Sequence, residues 1–152
     1  NIARLENHEV HGVSCTCCVH RKGATRASGG DSVELSAKFS GIGQPVLVPG
    51  DMGTSSYVMA GPKNGTNRAF GSSCHGAGRA LSRTEAREKI DGAAVKRELA
   101  EKGISIYETH EKYLSEEAPS AYKDVDEVIR LTANSGLARP VARLRPLIVI
   151  KG

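Results

Sequence analysis

The 152-residue chain has no tryptophan and no apolar run approaching the roughly 20 residues that a membrane-spanning helix needs. The second absence leaves no membrane partner to expect. The opening NIARLENHEV lacks the charged region, apolar core and small-residue cleavage site of a secretory leader, so a cytoplasmic location is expected. Cysteines number four, three of them crowded at Cys15, Cys17 and Cys18 and the last far away at Cys74, which is no disulfide framework. CTCC also lacks the paired CxxC or HxxxH spacing of a zinc site, so the thiols read as buried or edge-strand groups. No Gly-Lys-Ser/Thr sequence occurs, which excludes a Walker loop.

What is present is ordinary for a globular protein: 39% hydrophobic and 25% charged residues, with a net charge of +4. That length supports one domain burying about 70% of its unfolded-chain surface. The positive surplus mildly favours a polyanionic partner, and its placement says more than its size. Basic residues gather at His20-Arg21-Lys22 with Arg26, at Arg79 and Arg83, and along Arg139, Arg143, Arg145 and Lys151.

Along the chain, Ile2 and Leu5 suggest a helix remnant over residues 1–9, and alternation suggests a strand from Val13 to Val19. PVLV at 45–48 and SYVMA at 56–60 read as strands separated by the glycine-bearing PGDMGTS. Ser82-Arg-Thr-Glu85 has the form of a capping box opening a helix over 83–102, broken or capped near Asp91-Gly92 and closed by Gly103. ISIYE reads as a strand, and residues 124–135 as an amphipathic helix with Val125, Val128, Ile129 and Thr132 inward. PVARLRPLIVIKG reads as strand throughout. Strands and helices in no strict alternation point to an α+β fold.

The segment GSSCHGAGRALSR combines a histidine, flanking glycines and two arginines. A cysteine-phosphatase loop is excluded, because four residues rather than five separate Cys74 from Arg79. An imidazole can instead attack a nucleoside triphosphate at phosphorus and carry the nucleotide covalently, provided cations and amides hold the anion. His75 has that setting. The ordinary alternative is a tight turn with solvated arginines.

HRKGATRA, GQPVLVPGDMGTSSYVMAG, GSSCHGAGRALSR, EEAPSAYKDVD and the terminal VIKG, in this order, resemble the C-terminal part of the RtcB family of RNA ligases. The resemblance runs over essentially all 152 residues. It implies the C-terminal portion of that family's fold, with His75 attacking GTP in the presence of manganese to form a guanylylated enzyme. The guanylyl group then activates an RNA 3′-phosphate, after hydrolysis of any 2′,3′-cyclic phosphate, for attack by a 5′-hydroxyl, as in tRNA splicing and RNA repair. By the same resemblance, Gly76, Ala77 and Gly78 lie along the nucleotide, and Pro49, Gly50, Asp51, Met52 and Ser56 line the guanosine site. Tyr122 packs on or beside the guanine and Lys151 reaches it from the C-terminus. Lys22, Arg79 and Arg83 hold RNA phosphates. Aspartate stands at 51 where some relatives have a small hydroxyl residue.

The family's manganese ligands are expected outside this chain. His8, His11 and His20 are read as lacking a carboxylate partner at useful spacing, and no metal ligand is assigned here. The expectation is therefore a single domain or fragment, residues 1–152, that carries the nucleophile and is inactive alone unless a separate polypeptide supplies the metal-ligand half. The alternatives are a non-catalytic nucleotide- or RNA-binding module and a truncated remnant.

Overall fold

The computed structural model describes residues 2–63 and 69–151. The chain opens on a hairpin: β1 (Ile2–Val10) and β2 (Val13–Arg21) pair antiparallel, from Ile2 opposite Arg21 to Val10 opposite Val13. Its two-residue turn places His11 at φ 53° and Gly12 at φ 78°, the left-handed pair that suits the twist of the strands. The helix expected over residues 1–9 is thus a strand. Ile2 and Leu5 are exposed and make no buried side, whereas Glu6 is buried. Ladder hydrogen bonds to β2 outweigh a two-residue helical hint.

Glu6 is the hairpin's anchor. Arg21 Nη1 and Nη2 donate to its two carboxylate oxygens at 2.7 and 2.8 Å, while Arg21 Nε donates to Ser72 Oγ at 2.9 Å and Nη2 to the Phe70 carbonyl at 2.7 Å. His8 Nε2 lies 3.0 Å from Glu6 Oε2, so the reading that His8 lacks a carboxylate partner is corrected. Residues two apart on a strand share a face, a relation that a helical reading of this segment conceals.

Beyond the hairpin, β3 (Ala24–Arg26) pairs antiparallel with β6 (Ser72–Cys74). The expected strands at 45–48 and 56–60 are β4 (Pro45–Val48) and β5 (Ser56–Ala60), and β5 lies between β4 and β8 (Arg139–Leu144) in an antiparallel sheet. The expected helix over 83–102 divides into α1 (Arg83–Lys89), opened by the Ser82/Glu85 capping box, and α2 (Gly92–Glu101), opened by Asp91. β7 (Ser105–Glu108) follows, then the short α3 (Lys112–Glu116) and α4 (Val125–Asn134), which buries Val125, Ile129 and Thr132 and leaves Val128 half-buried. The C-terminal segment is two strands rather than one. Pro146 has no N–H to give a ladder, and after it β9 (Ile148–Lys151) leaves the first sheet to run parallel to β7. The fold is α+β.

Two cores result. One gathers Val46, Val48, Met59, Ala77, Val125 and Ile129 beneath the three-stranded sheet, and the other gathers Met52, Val95, Leu99, Ile104, Leu114 and Ala118 beneath the helices.

The bonds from Arg21 lower the Glu6 carboxyl from its ordinary 4.5 to about 2, against burial and with help from His8. The folded-state value lies below the unfolded one, so the pair contributes fully above about pH 4.5 and its contribution is lost as the pH falls toward 2. Thermal unfolding followed by circular dichroism should therefore show a melting temperature that drops on acidification below about pH 4.5 more steeply in the native protein than in Glu6→Gln. Parallel slopes would remove Glu6 from the acid response.

Candidate nucleotide site

Two glycine-bearing loops face one another. Residues 49–55 leave β4, residues 75–81 leave β6, and the Ala77 N–H donates to the Pro49 carbonyl at 3.0 Å. A Cβ at Gly76 would stand 3.2 Å from that same oxygen, and one at Gly50 would collide with the Ser55 carbonyl. The second loop is also fastened on its other flank: Ala80 N–H donates to the Ala121 carbonyl at 2.8 Å and Lys123 N–H to that of Gly78 at 2.9 Å. Held on both flanks, the loop exposes His75, whose ring has no side-chain partner among the described residues.

The loops form an open cleft of about 500 Å³, within the range of small-molecule sites. Pro49, Gly50, Asp51 and Met52 line it with Ser56, the run from His75 to Gly78 faces it, and Tyr122 and Lys151 close it. All the residues assigned to the nucleotide thus come together with His75. Lys151 arrives on β9, opposite Glu108 of β7, with its carbonyl accepting from Thr109 N–H at 3.1 Å. The Asp51 carboxylate is committed to its own turn, accepting from Gly53 N–H at 2.8 Å, Thr54 N–H at 2.9 Å and Thr54 Oγ1 at 2.6 Å. Its charge is thereby partly spent within the loop.

Sequence reasoning missed Glu117, which also lines the cleft. Tyr122 donates its hydroxyl to Glu117 Oε2 and accepts from Arg79 Nη1 at 3.0 Å. Desolvation, then the bond to Glu117, push the Tyr122 phenol above its ordinary value, so it stays a neutral donor. Lys151 Nζ lies 3.9 Å from the same Glu117 oxygen. Pro146, Ile148, Val149 and Ile150 add an apolar wall that was also missed. The signals available were the doublet Glu116-Glu117 and the apolar run before Lys151.

The three cations assigned to RNA phosphate are placed differently from one another. Arg79 is engaged throughout its fork: Nε with the Leu81 carbonyl at 2.9 Å, Nη1 with Glu117 at 3.4 Å, Nη2 with the Glu116 carbonyl at 2.5 Å, and its guanidinium 4.8 Å from the Tyr122 ring centroid. Arg83 is 67% exposed and lies 3.5 Å from Glu117 and 3.7 Å from Glu116. Lys22 is exposed in the turn between β2 and β3 and lines no part of the cleft.

A larger cavity of about 580 Å³ on the far side of residues 53–55 is lined by Arg143, Arg145, Asp124 and Asp126. Arg143 is held by Ser55 and Asp126 at 2.7 Å each and Arg145 by the Lys102 carbonyl at 2.9 Å, and none of the residues assigned to the nucleotide lines this cavity. Among the described residues no three His, Cys, Asp or Glu side chains group to hold a metal ion, so they do not fit a manganese centre. None of the described helices is long and apolar enough to cross a membrane.

The site is thus a solvent-reaching histidine at the edge of a glycine-walled cleft, with an aromatic ring and a lysine closing the far side. Residues 1–152 match the family described as tRNA-splicing ligase RtcB, and the chain belongs to that family. It is 49% identical over its whole length to the tRNA-splicing ligase RtcB of Archaeoglobus fulgidus, covering 32% of that protein. It is 51% identical to the RNA-splicing ligase RtcB of Mycobacterium tuberculosis, covering 35%, and 47% identical to the Thermococcus kodakarensis relative, covering 32%. The chain thus spans about a third of the length of these relatives.

Placement separates residues that hold the cleft from those that use it. Gly50→Ala should lower stability by about 1–3 kcal/mol, since the added carbon forces the Ser55 carbonyl away. His75→Ala should stay within about 0.5 kcal/mol of the native protein, as expected for an exposed side chain without partners. Urea unfolding midpoints check both, and a large loss in His75→Ala would give the histidine a structural role.

Proposed function

We propose that the chain carries the nucleotide-handling part of an RNA ligase that joins an RNA 3′-phosphate to a 5′-hydroxyl through a guanylyl-histidine. The observation that carries this reading is the meeting of His75 with Gly50, Ser56, Tyr122 and Lys151 in one cleft. Its co-substrate is GTP. An imidazole nitrogen of His75 forms a bond to the α-phosphorus while the bond to pyrophosphate breaks. An oxygen of the RNA 3′-phosphate then attacks the guanylyl phosphorus, the P–N bond breaks, and its electron pair returns to the imidazole. The 5′-hydroxyl attacks the activated 3′-phosphate, loses its proton and releases GMP. A 2′,3′-cyclic phosphate enters after hydrolysis to the 3′-phosphate.

Each group has a physical reason for its role. Glycines at 50, 76 and 78 let the nucleotide approach the backbone, the Tyr122 ring offers a stacking face, and Lys151 offers only donors to an acceptor on the base. Lys22 and Arg83, both exposed, meet RNA phosphates, and Arg79 serves them by fixing Tyr122 and Glu117. Manganese is assigned to residues outside these 152, supplied by the remaining family length or by a separate polypeptide. RNA in the form of tRNA halves or broken strands is the substrate class, and the cytoplasm is the compartment.

The test is the intact mass of the purified chain after incubation with GTP and manganese, with and without a polypeptide carrying the family's metal-ligand half. A GMP-sized adduct on His75, absent in His75→Ala and dependent on the added half, is the expected result. Folded, associated halves that form no adduct would overturn it in favour of a binding module or a remnant.

A further inference from the structure

His75 belongs to a second cavity as well. Some 300 Å³ in volume, it lies against the hairpin and is lined by Arg4, Gly23, Thr25, Arg26 and Gln44, with Arg21. Among the described residues His75 is the one that lines both this cavity and the nucleotide cleft. Three arginines line the second cavity, and no acidic side chain among the described residues does. Arg21 is spent on Glu6, Ser72 and Phe70. Arg4 has no side-chain partner among the described residues. Arg26 donates Nε to Gln44 at 3.2 Å and Nη1 to the exposed Glu34 at 3.3 Å, a pair that solvent weakens.

We infer that this cavity is an anion cradle in which Arg4 and Arg26 hold first the departing pyrophosphate and then the terminal 3′-phosphate of the RNA. The inference rests on the guanylyl-histidine reading. In-line displacement at phosphorus puts the entering and leaving groups at opposite apical positions. His75 occupies one apex in both transfers, entering in the first and leaving in the second. The other apex holds a pyrophosphate oxygen in the first transfer and an RNA 3′-phosphate oxygen in the second, so both anions need the same place relative to His75. In the first transfer the N–P bond forms and the P–O bond breaks with its electron pair going to pyrophosphate. In the second the new P–O bond forms and the N–P pair returns to imidazole. A cationic cavity bordered by the nucleophile itself supplies that place, and planar guanidinium forks suit a dianionic terminal phosphate.

Fluorescence anisotropy with one short labelled RNA, ending in either a 3′-phosphate or a 3′-hydroxyl, tests this in the full chain. The 3′-phosphate form should bind about tenfold more tightly, and inorganic pyrophosphate should erase that preference. Arg4→Ala, which loses no side-chain hydrogen bond or ion pair among the described residues, and Arg26→Ala should each bring the two RNAs toward equal affinity. Arg130→Ala, an exposed charge on α4, should leave the ratio unchanged. Equal affinity for the two ends in the native protein, or a ratio that survives both cradle substitutions, would overturn the cradle. GMP binding measured separately, with Tyr122→Ala as its control, tells the two readings apart. Absence of the terminus preference in the native protein, with GMP binding intact, sinks the cradle alone, and failure of GMP to bind sinks the guanylyl-histidine reading.

Discussion

The bond from the Ala77 N–H to the Pro49 carbonyl is the constraint around which the site is arranged. It requires two backbones to meet without intervening side chains, and Gly50 and Gly76 supply the room. One such bond contributes only about 1 kcal/mol net, too little to fix two loops alone. The loops stay because their neighbours are anchored in different cores. Val48 and Ala77 pack beneath the three-stranded sheet, and Met52 packs with Leu99 and Leu114 beneath the helices. The cleft is the seam between two packed units, so its width follows from how both are filled.

Charge within the seam is organised by Glu117. One carboxylate, 19% exposed, faces Arg79, Arg83, Lys151 and the Tyr122 hydroxyl. Partial burial strengthens these contacts relative to their strength in water, and Glu116 adds a second carboxylate beside Arg83. The Tyr122 ring is held by its hydroxyl at one end and covered by Arg79 on a face, which fixes its orientation before any ligand arrives. Arg79 is therefore committed to the tyrosine and to Glu117, although its place in HGAGR suggests direct contact with an anion.

Much of this was legible because it is local. The capping box at Ser82, the break at Asp91 and the strands at 45–48 and 56–60 depend on residues a few positions apart, and they fall where the pattern puts them. The hairpin's first strand was not legible, since its inward residues are Glu6 and His8 and a buried ion pair mimics a solvated face in sequence. The path of β9 was hidden for another reason. Its partner is β7, separated from it by two α-helices, a short 3-10 helix and a strand, and parallel pairing at that distance leaves no local trace beyond an apolar run. The cleft's residue set was reached through resemblance to the RtcB family, while Glu117, inside the EEAPSAYKDVD stretch, was given no role there and becomes visible only when Tyr122 and Lys151 meet it.

The same distinction governs where a polyanion can dock. A net charge of +4 says little, because many of the cations are already engaged. Arg21, Arg79 and Arg143 each have their guanidinium held by acidic or carbonyl oxygens, and replacing those partners by phosphate would exchange one set of bonds for another. Among the described residues Arg4 and Lys22 have no such exchange to make, and Arg83 is only loosely held. Cations without internal partners are the ones that release counterions on binding RNA, so the salt dependence of binding counts them and not the total. Arg4 lies on β1 and Lys22 follows β2, so both belong to the hairpin side of His75, while Arg79, Arg83 and Lys151 beside the cleft face Glu117. His75 thus stands where a cleft whose cations already face Glu117 meets a cavity in which Arg4 has no side-chain partner among the described residues, so the charge balance differs on its two sides.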